Sequence, residues 1–160
     1  MTIRFLPLAI LLSLPVLLHA QARPDCALRP SSLAQMRHCF RPLLVFSPSA
    51  SDPRLIQQQS SLDAAADDTM DRFVLFLPVI QKSTNYNPPL DTPYALLSQK
   101  ELTAIRNRFQ VPENQFAVLL LGEDGSIKLR STVPVSIDRL NTLIDAMSDR
   151  KVEMQHPHAN

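Results

Sequence analysis

Glycine is nearly missing from this chain, with two residues in 160, Gly122 and Gly125. No glycine-rich phosphate loop can be assembled from so few, which excludes the common nucleotide-binding motifs. Tryptophan is absent, and cysteine occurs only at Cys26 and Cys39, outside the Cys-x-x-Cys spacing associated with a depressed thiol pKa. Gly-x-Ser-x-Gly is absent too. The 16 Lys and Arg residues face 15 Asp and Glu with no long basic run, which excludes nucleic acid and anionic membrane as partners. Beyond the N-terminal segment the histidines are His38, His156 and His158. A structural metal site takes four ligands, whereas His156-Pro157-His158 offers two, suited to adventitious binding. No metal and no cofactor is expected.

What is present begins with an apolar run, Phe5 to Leu18, behind Arg4 and ahead of the small-x-small triplet Ala20-Gln21-Ala22. The run is short for a membrane span, and Pro7 and Pro15 interrupt it. These features predict a secretory signal peptide over residues 1–22, the alternative being an uncut membrane anchor. The expected protein is secreted or periplasmic, with no membrane insertion after signal cleavage. In an oxidising compartment Cys26 and Cys39 are expected to pair. The pair reads either as a staple for an N-terminal arm, contributing roughly 3 kcal/mol, or as a redox-active couple.

Residues 23–40 form that arm, where Leu33, Met36, Arg37 and Phe40 suit one short amphipathic turn. Leu43 to Phe46 is apolar at every position, as in a strand covered on both faces. Asp52-Pro53 is a helix start, with Asp as cap and Pro at the first helical position. Leu55, Leu62 and Ala66 share one face, and the helix should close before Asp67-Asp68. Phe73 to Val79 predicts a second buried strand with Pro78 near its end. Residues 81–97 read as a proline-rich loop carrying Tyr86 and Tyr94, either a protein-binding surface or packing against its own domain.

Ser98 to Glu101 is a capping box for a helix that stops before Val111-Pro112. Phe116 to Leu121 is a third strand, joined through Asp124-Gly125 to an alternating edge strand, Ile127 to Ser131. In that strand Ile127 and Leu129 share one face, and Lys128 and Arg130 the other. Ser136 caps a last helix, and residues 151–160 read as a flexible tail. The order β-α-β-α-β-β-α over residues 41–150 predicts an α/β, thioredoxin-like domain: a four-stranded mixed sheet with helices on both faces.

Three blocks, RPLLVFSPSASDPRL (41–55), LLLGEDGSIKLRS (119–131) and LIDAMSDRKVEM (143–154), together resemble a domain-of-unknown-function family. Its members are secreted thioredoxin/peroxiredoxin-like domains, as in the C-terminal part of sushi-repeat-containing extracellular proteins. The resemblance spans roughly residues 38–154. It implies the same fold and no established reaction, and its animal members imply adhesion and matrix roles. Glu123 departs from the pattern, which has a basic residue there.

The chemistry of the fold belongs at the junction after the first strand, where a helix N-terminus stabilises a thiolate. Residues 47–54 contain no cysteine. Measured from Pro48, the peroxiredoxin pattern puts Asp52 at its hydroxyl position and Leu55 at its cysteine position. No Arg lies between Arg108 and Arg130 to serve as its later cation, and Gln115, Phe116 and Ala117 stand where thioredoxins carry their proline. Ser49 and Ser51 lack a histidine nearby in sequence, so turn formation is the expected role. Ser49, Ser51, Asp52 and Arg54 therefore make a candidate junction surface with no catalytic residue. Lys128 and Arg130 are the candidate interaction residues, suited to a carboxylate or anionic glycan, or else to edge protection. The reading is a non-catalytic module for a protein or glycan partner in the envelope or extracellular space. The alternative is a thiol-disulfide or peroxide-related redox protein using Cys26 and Cys39.

Overall fold

The structure, a computed structural model, describes residues 26–155. The expected signal segment 1–22, the first arm residues, and His156 and His158 lie outside the described residues. The elements in order are α1 (Leu33–Met36), β1 (Arg41–Ser49), α2 (Pro53–Asp63), α3 (Ala66–Asp71), β2 (Val74–Lys82), α4 (Gln99–Phe109), β3 (Ala117–Leu121), β4 (Ile127–Ser131), α5 (Ile137–Asp145) and α6 (Ser148–Gln155).

The sheet runs β2-β1-β3-β4, with β1 parallel to β2 and antiparallel to β3, and β4 antiparallel to β3. Because β1 lies inside the sheet, its side chains alternate between two cores. Leu44 and Phe46 join Ile105 and Phe109 of α4, together with Leu33 and Met36 of α1. Leu43 and Val45 join Leu55 and Leu62 of α2 and Leu140 and Ile144 of α5. Each of these buried side chains contributes roughly 1.5–3 kcal/mol through apolar burial. The expected mixed sheet with helices on both faces is present.

Three details differ from the sequence reading. Pro78 sits within β2 opposite Val45, and the strand continues to Lys82. An edge strand tolerates proline because one of its sides owes no ladder bond. The helix after Pro53 does close before the aspartates, at Asp63. Asp67 and Asp68 then occupy the first turn of α3, where acidic side chains suit the helix dipole. In β4, Leu129 is buried but Ile127 is about half exposed, since the β3–β4 register shifts between Leu120 and Leu121. Gly125 at φ 77° supplies the left-handed position of that hairpin.

The largest correction concerns the C-terminus. Residues through Gln155 are helical where a flexible tail from 151 is expected. The cause is Arg41, which is fully buried at the start of the central strand. Its guanidinium donates to Glu153 at 2.9 and 3.2 Å, to Asp149 at 2.8 Å and to the Arg72 carbonyl at 2.9 Å. Glu123 lies 3.5 Å away. Burial alone would lower the Arg41 pKa, but Glu153, Glu123 and Asp149 outweigh it and hold the group above its ordinary value. On α6, Arg150 pairs with Asp71 and Glu153, while Arg72 is bidentate to Asp145. The helix carries no apolar stripe; ion pairs hold it in place of hydrophobic packing.

A buried cation that loses one partner is left uncompensated, at a cost of about 3 kcal/mol or more. Glu153→Ala, and deletion of residues 151–160, should each lower stability by about that amount in urea unfolding. Val152→Ala, at an exposed site on the same helix, should change it by less than about 0.5 kcal/mol. A silent deletion would show that the tail does not hold Arg41.

Candidate functional site

The β1–α2 junction is a tight turn sealed by its own groups. Ser47 is buried and donates to the Ser49 carbonyl at 2.8 Å. The Ser49 and Ser51 hydroxyls stand 3.2 Å apart, and the Ala50 N–H donates to the Lys82 carbonyl at 2.9 Å. Asp52 caps α2 by accepting the Arg54 N–H at 2.9 Å. The Arg54 guanidinium closes on the same carboxylate, with Nε at 3.0 Å from Oδ1 and Nη2 at 2.7 Å from Oδ2, and lies 4.8 Å over the Phe116 ring. The Arg54 hydrogen bonds hold the Asp52 carboxyl below its usual range, against the opposing effect of burial. The structure thus brings together all four predicted junction residues, Ser49, Ser51, Asp52 and Arg54. Two features of this arrangement bear on chemistry: the anion at the helix N-terminus is a fixed carboxylate, and the serines meet each other rather than a base. His38, the one histidine among the described residues, precedes the opposite end of β1.

Beside this turn, between α2 and residues 84–87, lies a cleft of about 520 Å³. Its wall is built by a bridge that spacing does not reveal. The Tyr86 hydroxyl donates to Gln59 Oε1 at 2.8 Å, and Gln59 Nε2 donates to the Asn87 carbonyl at 3.0 Å. Burial, then the nearby Tyr94 and Asp63, push the Tyr86 phenol pKa upward, so it remains a donor. Below it, Asp63 accepts the N–H groups of Leu90, Asp91 and Thr92 and anchors the loop to the end of α2. These N–H bonds overcome the burial of Asp63 and hold its carboxyl below the usual range. Neither pair carries a motif; Gln59 on the buried side of α2 and Tyr86 in a polar loop were the available signals.

A second residue that spacing does not flag is Arg106, buried in α4 and 5.6 Å from the centre of the Phe46 ring. It donates to the Ser47, Val79 and Pro112 carbonyls at 3.1, 2.8 and 3.2 Å. Burial lowers its pKa, with Glu113 opposing. Its position at 106, between Ile105 and Phe109 on the apolar face of α4, is the trace it leaves in sequence.

The other predicted residues lie elsewhere. Cys26 and Cys39 form a disulfide with Cα atoms 5.6 Å apart, just before β1 begins. The nine residues of β1 separate it from the junction, on the order of 25 Å at the usual rise. Lys128 reaches Asp124 at 3.1 Å, and Arg130 donates to the Phe109 carbonyl at the end of α4. Both cations on the edge strand thus have partners within the domain. Glu123, the departure noted in the hairpin, stands beside Arg41 and neutralises it in part.

A family model described as Domain of unknown function (DUF4174) matches residues 32–153. Among curated proteins no match is found. Solved structures share the fold. One is Plasmodium yoelii thioredoxin peroxidase I, at 17% identity and TM-score 0.53, covering 80% of this chain and 81% of that one. Another is Plasmodium vivax 2-Cys peroxiredoxin, at 17% identity and TM-score 0.55, covering 75% and 84%. At this identity the likeness carries the thioredoxin-like fold and nothing more.

The Asp52 cap gives a pH test. Asp52→Ala should cost about 1 kcal/mol through loss of the cap. Asp52→Asn keeps an acceptor but no charge. The folded carboxyl is held below its unfolded value, near about 3.9, so its contribution is present above that pH and lost as pH falls through the folded pKa. The stability gap between the native protein and Asp52→Asn should therefore close between about pH 4 and more acidic conditions. A gap independent of pH would show that the Arg54 pairing contributes nothing.

Proposed function

The chain belongs to the DUF4174 family, a domain of unknown function, and from that premise we propose an exported, non-catalytic recognition module on a thioredoxin-like scaffold. The observation that carries this reading is the occupant of the junction. At the junction where the fold places a reactive thiolate, buried Leu55 holds the peroxiredoxin cysteine position, and the helix N-terminus is capped by the Asp52 carboxylate, itself paired with Arg54. A carboxylate held in its charged form by two kinds of hydrogen bond is a poor nucleophile and a poor base. The hydroxyls of the neighbouring serines face each other, and the one histidine among the described residues lies before the opposite end of β1. What remains at that end of the sheet is a shaped, ligand-accessible cleft, with a protein or glycan of the envelope or extracellular space as the partner class.

Export is supported by the N-terminal apolar run in the sequence and by the Cys26–Cys39 disulfide, which suits an oxidising compartment. The second reading, a redox protein working through Cys26 and Cys39, is favoured by that same disulfide. Against it stands the disulfide's position at the far end of β1, away from the α2 N-terminus that would stabilise a leaving thiolate.

The two readings separate in one assay series on the exported chain. The recognition reading predicts no free thiol before reduction. It also predicts no peroxide consumption and no insulin disulfide reduction above the uncatalysed rate. Turnover that disappears in Cys39→Ser would replace it with the redox reading.

A further inference from the structure

We propose that the cleft between α2 and residues 84–87 is a subsite for an uncharged saccharide, an inference that rests on the recognition reading and names its ligand class. The argument begins with what lines the cleft. Ser51, Ser60 and Thr84 bring hydroxyls to the lining and Asn85 and Asn87 bring carboxamides, while the Gln59 carboxamide is engaged with Tyr86 and the Asn87 carbonyl. Thr84, Asn85 and Asn87 are exposed, and Asn85 at φ 60° stands at the left-handed position of the loop. Carboxamides and hydroxyls both donate and accept, which matches the mixed donor and acceptor character of sugar hydroxyls. The apolar part comes from the half-exposed Ile56, against which the C–H face of a sugar ring can rest.

Charge decides against other ligands. Tyr86 is the one ionisable side chain in the lining, and its hydroxyl is committed to Gln59. Of the carboxylates around the cleft, Asp52 is closed by Arg54 and Asp63 is held by the N–H groups of Leu90 and Thr92. The lining itself holds no cation for an anionic ligand and no carboxylate for a cationic one, so either would lose water there without a charged partner in the lining. Peptide modes fit poorly as well. None of the residues that line the cleft lies in a strand of the sheet, so the lining itself offers no strand edge for strand addition. A docked helix needs a row of apolar anchors, and the exposed apolar side chain here is Ile56 alone. The volume, about 520 Å³, lies within the range of small-ligand sites, roughly 300–1,000 Å³. The Tyr86–Gln59–Asn87 bridge fixes the wall before any ligand arrives, which reduces the ordering cost of binding.

The test is a titration of the isotope-labelled exported chain, disulfide intact, followed by amide chemical shifts. The probes are cellohexaose and chitohexaose as neutral oligosaccharides, a heparin-derived hexasaccharide as the acidic one, and an unstructured peptide. The expected result is saturable shifts at residues 51–60 and 84–87 with at least one neutral probe, unchanged by added salt. Asn85→Ala should weaken that binding by up to about tenfold, as loss of one hydrogen-bonding side chain does. Ile56→Ala should weaken it several-fold, and both variants should keep the native circular dichroism spectrum. Silence with both neutral probes overturns the proposal, as do shifts confined to other surfaces. Binding of only the acidic probe, abolished by salt, overturns it as well. If the peptide alone perturbs these residues, the saccharide is wrong while the recognition reading stands. Catalytic turnover in the thiol assays would remove that reading itself.

Discussion

A guanidinium buried at the first residue of the central strand sets the terms for the rest of this fold. Arg41 is out of contact with solvent, and a charge in that position must be met by carboxylates or it destabilises the domain. The chain meets it from two remote places, Glu123 in the β3–β4 hairpin and Asp149 with Glu153 on the last helix. The consequence is topological. The C-terminal helix is drawn onto the end of the sheet, the α3–β2 turn is tied in through the Arg72 carbonyl, and Arg150 and Arg72 extend the network to Asp71 and Asp145. Such an arrangement contributes definition more than raw stability, since apolar residues of the same volume would often serve as well energetically.

The same strand separates two kinds of chemistry. Its first end carries the arm with its disulfide, and Arg41, which ties the C-terminal helix to the sheet. Its second end carries the Ser-rich turn, the Asp52 cap and the cleft walled by Tyr86 and Gln59. The helix N-terminus there favours negative charge, and in this protein the Asp52 carboxylate supplies it while paired with Arg54. The position is electrostatically satisfied by that carboxylate. The proposed recognition beside that position asks only for shape and neutral hydrogen-bonding groups, and the 84–87 loop carries such groups in Thr84, Asn85 and Asn87.

Much of this was legible in residue order. The apolar run Leu43 to Phe46, the Asp-Gly turn and the caps at Asp52, Ser98 and Ser136 place the strands and the helix starts, because those signals act within a few residues. The junction residues could be named for the same reason. Contacts across large separations were not legible. Arg41 and Glu153 are 112 residues apart, and a helix held by ion pairs shows no apolar stripe to announce it. Arg106 looks like a surface cation until its carbonyl partners on β1 and β2 are known. Tyr86 and Gln59 meet across 27 residues, one in a loop whose prolines signal only irregularity. The register shift that turns Ile127 outward leaves no mark in the alternation of β4.

The central claim is that the reactive chemistry of the fold has been lost from the junction and has not moved to the cysteine pair. The measurement that tests it most directly is the equilibrium reduction potential of Cys26–Cys39, read in graded dithiol buffers. A structural bond closing the arm onto the core should lie below about −300 mV, beyond the reach of a glutathione pool. A potential in the range of catalytic dithiols, roughly −120 to −270 mV, would contradict the account and place a working redox couple at the other end of β1.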